Sequence, residues 1–334
     1  MTGYYYVRPT DSLFVRGNLA FGDSGEHGAS QMPPPPSLFA GAFRSALLGA
    51  DATQMAAFLQ HGRCADPALA DCLGSAVQPG AFRVRWLSLA GQCATGVEPE
   101  AIVPLPADLV LLESGFARLE AHPTTQAIAS SGDLPMRATL ISAKQEKART
   151  GAYLRESGLR RHLRGEQPEQ SDGIAAGQIH AHDPRLGIGL ASESRSADKG
   201  LIYTTEGYAF SPAGPSDFAT TGFLVGIDGA EDVLTDEGLL RLGGDGRSAT
   251  WRKVSFVPPQ VDCETIRSSG RFRLMLQTPA LFSAGWLPEG AQLEGGRVSL
   301  RGPGFNARLA CAALGRREII SGWDLFDWSP KPAE

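Results

Sequence analysis

Pro33–Pro36, four consecutive prolines that run straight into SLFAGAFRSALLG, restrict this chain more than any other local signal in it. Each proline fixes φ and removes an amide donor, so the run can lie neither inside a helix nor in the middle of a sheet. It reads as an extended polyproline II segment that sets the direction from which the next element is entered. Ser37 then reads as the N-cap of a helix over 37–48. Phe39, Phe43 and Leu47 recur on one face as a core stripe, whereas Ser37, Gly41 and Arg44 share another face that is small apart from one cation.

The remaining periodic segments arrange themselves around this helix. YYYV at 4–7 and AFRVRWLSL at 81–89 read as strands, the second alternating Phe82, Val84 and Trp86 with Arg83 and Arg85. From about 92 to 200 the pattern thins into a proline-broken stretch, expected to be a long irregular insertion. Strand signals return at 201–210 and 220–228, then a helix is expected over 231–242 and a strand over 250–257. Further strand signals lie at 272–277, 296–301 and 305–314. In order this is β-α-β-β-α-β, an α+β, ferredoxin-like (RRM-like) domain over 1–257 with its insertion at about 92–200. A smaller, mostly β domain is expected over 258–334.

Charge bears on partners. The chain of 334 residues carries a formal charge of −5, which excludes indiscriminate coating of nucleic acid. That charge is segregated: 144–164 holds +5 and the rest −10, so the basic run is either a solvated face or an RNA- or partner-facing patch. Five cysteines (Cys64, Cys72, Cys93, Cys263, Cys311) without a CxxC pair indicate neither a disulfide framework nor a zinc ribbon. No apolar run approaches the roughly 18 residues of a membrane span, and MTGYYYVRPTD has no signal-peptide pattern. A cytoplasmic location, with no membrane partner, is expected.

Four constellations are candidates for chemistry. The start of the 37–48 helix is attractive to an anion because its amides are unpaired, with Gly41 allowing close approach and Arg44 holding the ligand; from the spacing alone, an ordinary capped helix with Gly41 packed against a neighbouring strand is the commoner explanation. LGGDGRS (242–248) is a glycine loop whose amides, with Arg247 and Ser248, suit a phosphate, although Gly243 also fits a plain helix terminus. Arg185, Arg195 and Lys199 precede a strand containing Tyr203 and Tyr208, a mixture of cations and aromatics that suits single-stranded RNA as well as a core strand. His180-Ala-His182-Asp183 matches no known metal-ligand spacing, and His27 on a glycine-rich loop is a candidate general base for RNA cleavage. No cofactor is expected.

Six stretches in order, YYYVRPTDSLFVRG, PPPPSLFAGAFRSAL, RLGIGL with GLIYTTEGYAF, LGGDGR, LQTPALFSAGWLP and ISGWDLFDWSPKP, resemble the family of the third subunit of the Cmr complex, the type III-B CRISPR effector. The resemblance implies a RAMP protein of ferredoxin-like folds, with a second, smaller ferredoxin-like domain. It implies no nuclease activity, binding of the repeat-derived 5′ tag of the guide RNA, and docking on the large polymerase-like subunit beside the backbone RAMP subunits, in antiviral defence. Ser37, Gly41, Arg44, Arg185, Arg195, Lys199, Gly243, Gly244, Arg247 and Ser248 are the positions it implies near RNA. A metal-independent RAMP endoribonuclease that processes repeat RNA is the alternative, and a protein scaffold whose basic stretch meets an acidic partner is a third reading.

Overall fold

A computed structural model describes residues 2–15, 27–28, 32–96, 98–123, 134–142, 146–190, 194, 196–210, 216–244, 246–283, 285–294, 297–302, 304–315, 323–324 and 329–330. It is a mixed α/β chain with five α-helices among the described residues. The chain divides into two compact units, one of 1–103, 175–258 and 320–333, the other of 104–174 and 259–319. Segment 104–174 thus groups with 259–319.

The first unit is built on β1 (Gly3–Pro9), α1 (Pro36–Gly49), α2 (Ala52–His61), α3 (Pro67–Leu73), β2 (Arg83–Cys93) and β3 (Glu100–Pro104). It continues through β4 (Ala181–Leu190), β5 (Ala197–Ala209), β6 (Phe218–Asp228), β7 (Glu237–Arg241) and β8 (Ser248–Val254). Six of these strands lie side by side in the order β3-β2-β6-β1-β8-β7. Every neighbouring pair among them is antiparallel.

Alternation sorts the sheet into two faces. Phe39 and Phe43 of α1 are fully buried on one of them, with ring centroids 4.9 Å for Phe39–Phe223, 6.0 Å for Tyr5–Phe43 and 5.6 Å for Phe43–Trp251. Edge-on and tilted pairs of this kind add about 0.5–1.5 kcal/mol each to the burial of their surface. The other face carries Tyr6, Ala90, Leu224 and Val254, against which the half-buried Tyr4, Trp86 and Phe256 pack. The entry to α1 has the extended geometry that the prolines dictate, Pro35 standing at φ −69° and ψ 151°.

The structure corrects three expectations. The helix expected over 231–242 is a turn followed by β7: Leu240 and Leu242 are buried while Leu239 is 67% exposed, a period of two. Gly238 fits there because a Cβ would lie 2.4 Å from the Trp251 ring. The segment 272–277, expected to be a strand, carries no ladder among the described residues. Within the stretch expected to be irregular over about 92–200, the described residues of 104–174 are folded, with short strands, the helix α4 (Glu156–Leu163), and Leu109, Leu111, Phe116, Leu154 and Leu159 buried.

The second unit is knit by polar ties as well. Arg118 Nη2 lies 3.3 Å from His162 Nδ1, and the His162 Nε2 is 3.1 Å from Asp108 Oδ1. Arginine has no acceptor, so Nδ1 accepts and the proton sits on Nε2, facing the carboxylate. Burial works to raise the Asp108 carboxyl, but the hydrogen bond from His162 and the Arg273 guanidinium at 3.0 Å bring it below its ordinary value. The three strands Ala291–Glu294, Arg297–Gly302 and Phe305–Leu309 form an antiparallel meander.

Candidate nucleic-acid interface

The strand β1 ends at Pro9, and the next residues, Thr10-Asp11-Ser12, gather two of the arginines singled out in the sequence. Asp11 accepts the Ser12 amide at 2.7 Å, which turns its carboxylate outward from the chain end. Arg247 Nη1 donates to Asp11 Oδ2 at 3.0 Å and to the Ser12 carbonyl at 2.8 Å. Arg185 Nη2 donates to Asp11 Oδ1 and to Ser12 Oγ, both at 3.1 Å, and its Nε to Asp183 Oδ2 at 2.9 Å. Ser12 Oγ in turn donates to Asp183. The Ser12 amide and then the Arg185 guanidinium hold the Asp11 carboxyl low; for Asp183 the Ser12 hydroxyl leads and Arg185 follows. Asp183 and Asp11 together raise the Arg185 guanidinium.

Two cations therefore face two carboxylates, and the cluster cancels its own charge. Its chemistry is that of a fastener joining the end of β1, the start of β4 and the β7–β8 hairpin. The glycine loop serves the same fastening. Gly243 sits at φ +80°, where a Cβ would come within 2.4 Å of the Phe14 carbonyl oxygen. Gly244 donates its amide to that carbonyl at 2.8 Å, Leu242 donates to the Arg247 carbonyl at 2.8 Å and Arg247 to the Gly244 carbonyl at 3.3 Å. The expectation of a helix-to-strand loop with free amides is thus corrected: the loop joins two strands, and these three amides are spent inside the protein. Ser248 Oγ lies 2.6 Å from Thr10 Oγ1.

The face of α1 behaves differently. Ser37 is not the N-cap: the cap position is Pro35, without a side-chain hydrogen bond, and the first turn holds no acidic residue. Ser37 and Gly41 are exposed, and a Cβ at Gly41 would meet nothing within 4 Å. Arg44 on the same face lies with Cζ 5.5 Å from the Phe82 ring centroid. Its Nε is buried without a hydrogen-bond partner, and no carboxylate among the described residues pairs with it. A guanidinium without a carboxylate partner favours an anion here.

The other singled-out residues separate. Arg195 lies outside the described residues; Lys199 falls on β5, with its side chain outside the description, and so does the side chain of His27, on the short strand His27–Gly28. His180 is buried with its ring 4.8 Å from Tyr208, and burial, then His182, lowers it to about 4. No group of three metal-capable side chains occurs among the described residues. The helical part of the basic run is paired off, Arg160 with Glu156 at 2.6 Å, Arg161 with Glu169 at 2.8 Å and Arg164 with Glu166 at 3.0 Å. Asp11 and Ser12 carried no expected role, Asp183 was named only beside the two histidines and Phe82 only as a strand residue. The TDS that follows β1 and the Asp two residues before Arg185 were the available signals.

A family model described as CRISPR-associated protein (Cas_Cmr3) matches residues 5–334. Among solved structures, a cryo-EM structure of the Type III-B Cmr-beta bound to cognate target RNA is similar at 14% identity and a TM-score of 0.44, covering 99% of this chain and 82% of that one. A second, of the Type III-B Cmr-beta bound to cognate target RNA and AMPPnP, is similar at 14% identity and a TM-score of 0.37, covering 76% of this chain. This chain spans 64% of the length of that one. No curated protein matches the sequence.

Proposed function

The chain belongs to the Cas_Cmr3 family of CRISPR-associated proteins, and from that membership we propose that it is a non-catalytic, guide-RNA-binding subunit of a type III-B Cmr effector complex. In this reading it grips the repeat-derived 5′ tag of the guide and anchors the large polymerase-like subunit, beside the backbone subunits, in antiviral defence. The sheet order β8-β1-β6-β2 supports a ferredoxin-like unit in which β7 stands where the second helix would be. Such a topology positions a site without specifying one.

The observation that carries the reading is Arg44. Arg185 and Arg247 have their charge met by Asp11 and Asp183, whereas Arg44 lies beside the exposed Ser37 and Gly41 with no carboxylate partner among the described residues. A guanidinium stacked on a ring and lacking a counter-ion suits a phosphate of the guide. Filter binding of the assembled complex to tag-containing and tag-less guide RNA tests this. Arg44→Ala should weaken the tag-containing guide by about 1–3 kcal/mol and leave the tag-less one unchanged. Equal loss on both guides would remove tag recognition from the reading.

A further inference from the structure

The sheet face turned away from α1 carries a cleft that neither the fastener nor the helix accounts for. Its volume is about 240 Å³, and Tyr6, Arg8, Gln92, Thr220, Glu237 and Arg252 are among the residues that line it. Strand register brings them together: Arg252 stands opposite Tyr6 on β1 and Glu237 on β7, Thr250 opposite Arg8, and Thr220 opposite Gln92.

The floor is built and satisfied. Tyr6 donates its hydroxyl to Thr220 Oγ1 at 3.1 Å, Thr220 Oγ1 donates to Gln92 Oε1 at 3.5 Å, and Gln92 Nε2 donates to the Gly96 carbonyl at 3.1 Å. Above it, Arg252 Cζ lies 5.4 Å from the centroid of the Tyr6 ring. Arg8 is exposed at the cleft, and no carboxylate among the described residues pairs with its side chain. Beyond Tyr6 the same face continues into Tyr4, Phe256 and Trp86, with ring centroids 5.0 Å for Tyr4–Phe256 and 5.2 Å for Trp86–Phe256.

A guanidinium lying on an aromatic ring offers its second flat face to another planar group, and unpaired RNA bases stack on such planes. The neighbouring guanidinium meets a phosphate, the contact that single-stranded RNA supplies at each nucleotide. An acidic peptide would use the charges but would leave the stacked plane and the aromatic run without a role. We propose that this cleft receives one nucleotide of single-stranded RNA, its base over Arg252 and its phosphate at Arg8. The inference rests on the RNA-binding reading above and adds to it a second contact, on the opposite face of the sheet from α1.

Fluorescence anisotropy with a labelled single-stranded RNA heptamer and the full chain tests it. Arg8→Gln should weaken binding about tenfold and reduce the slope of log affinity against log salt by about 0.7. Glu237→Gln, which removes the carboxylate from the cleft, should tighten binding. Both side chains are exposed, so the melting temperatures of the two variants stay at the wild-type value and report that folding is intact. If both variants bind RNA as the wild type does while Arg44→Ala weakens it, the cleft is overturned and the RNA-binding reading stands. If the wild-type chain binds no heptamer and no peptide of the chain crosslinks to guide RNA in the assembled complex, both are overturned. If poly-glutamate binds the chain in a manner lost with Arg8→Gln while RNA binding is unaffected, the cleft belongs to a protein partner.

Discussion

Arg247 donates from Nη1 to Asp11 Oδ2 at 3.0 Å across 236 positions of sequence. The other oxygen of that carboxylate takes Arg185 at 3.1 Å. One short acidic side chain at the end of the first strand thus collects two arginines from distant segments and cancels much of their attraction for an outside anion.

Acid should undo this fastener. The Asp11 and Asp183 carboxyls titrate below their ordinary value in the folded protein. Their stabilisation is therefore complete above the unfolded-state value and is lost as pH falls through the lowered one. Thermal melts of wild type and Asp183→Asn should differ at pH 7 and converge toward pH 2; a gap that persists in acid would refute the assignment.

The same carboxylate masks charge. Asp11→Asn should release Arg185 and Arg247 and steepen the salt dependence of RNA binding, because each added phosphate contact contributes about 0.7 to the slope. An unchanged slope would confine both arginines to a structural role.

Two glycines separate strain from collision. Gly243 and Gly246 both have positive φ, 80° and 64°, but a Cβ meets the Phe14 carbonyl oxygen at 2.4 Å in the first and nothing within 4 Å in the second. In urea unfolding, Gly246→Ala should cost about 1–2 kcal/mol for left-handed backbone alone. Gly243→Ala should cost more, since the Phe14 backbone must also move. Equal costs would mean that the hairpin is not pinned to Phe14.

Histidine 180 should make the fold sensitive to mild acid. Burial, with His182 beside it, lowers its imidazole to about 4, so the folded state keeps it neutral where the unfolded chain already binds a proton. Stability is therefore complete above about pH 6.5 and falls as pH drops toward 4. His180→Phe should flatten that part of the melting-temperature profile, and a variant curve parallel to wild type would count against it.

Incubation of labelled repeat RNA with the purified chain in chelator should leave it intact, as a non-catalytic role requires. Cleavage products, lost with His27→Ala, would establish the endoribonuclease instead.

Much of the frame was legible in the chain itself. The proline run, the Phe39/Phe43/Leu47 stripe and the strands around 4–7, 82–89, 201–210, 220–228 and 250–257 follow from local rules, because fixed φ and residue period act within a few positions. The resemblance carried by six ordered stretches agrees with the family that matches residues 5–334. The segment over 231–242 was misread because a leucine-rich run satisfies both periods, and only Trp251, on the neighbouring strand, decides for the sheet.

For the site, local pattern could name arginines but not their counter-ions. Whether a guanidinium is available to a phosphate depends on which carboxylate the fold brings within about 3 Å, and Asp11 meets Arg185 and Arg247 only after β1, β4 and the β7–β8 hairpin converge. Arg44 was one cation among several in the sequence. Its place over Phe82, without a carboxylate among the described residues, came from tertiary packing, because electrostatic neutralisation acts through space and has no period along the chain.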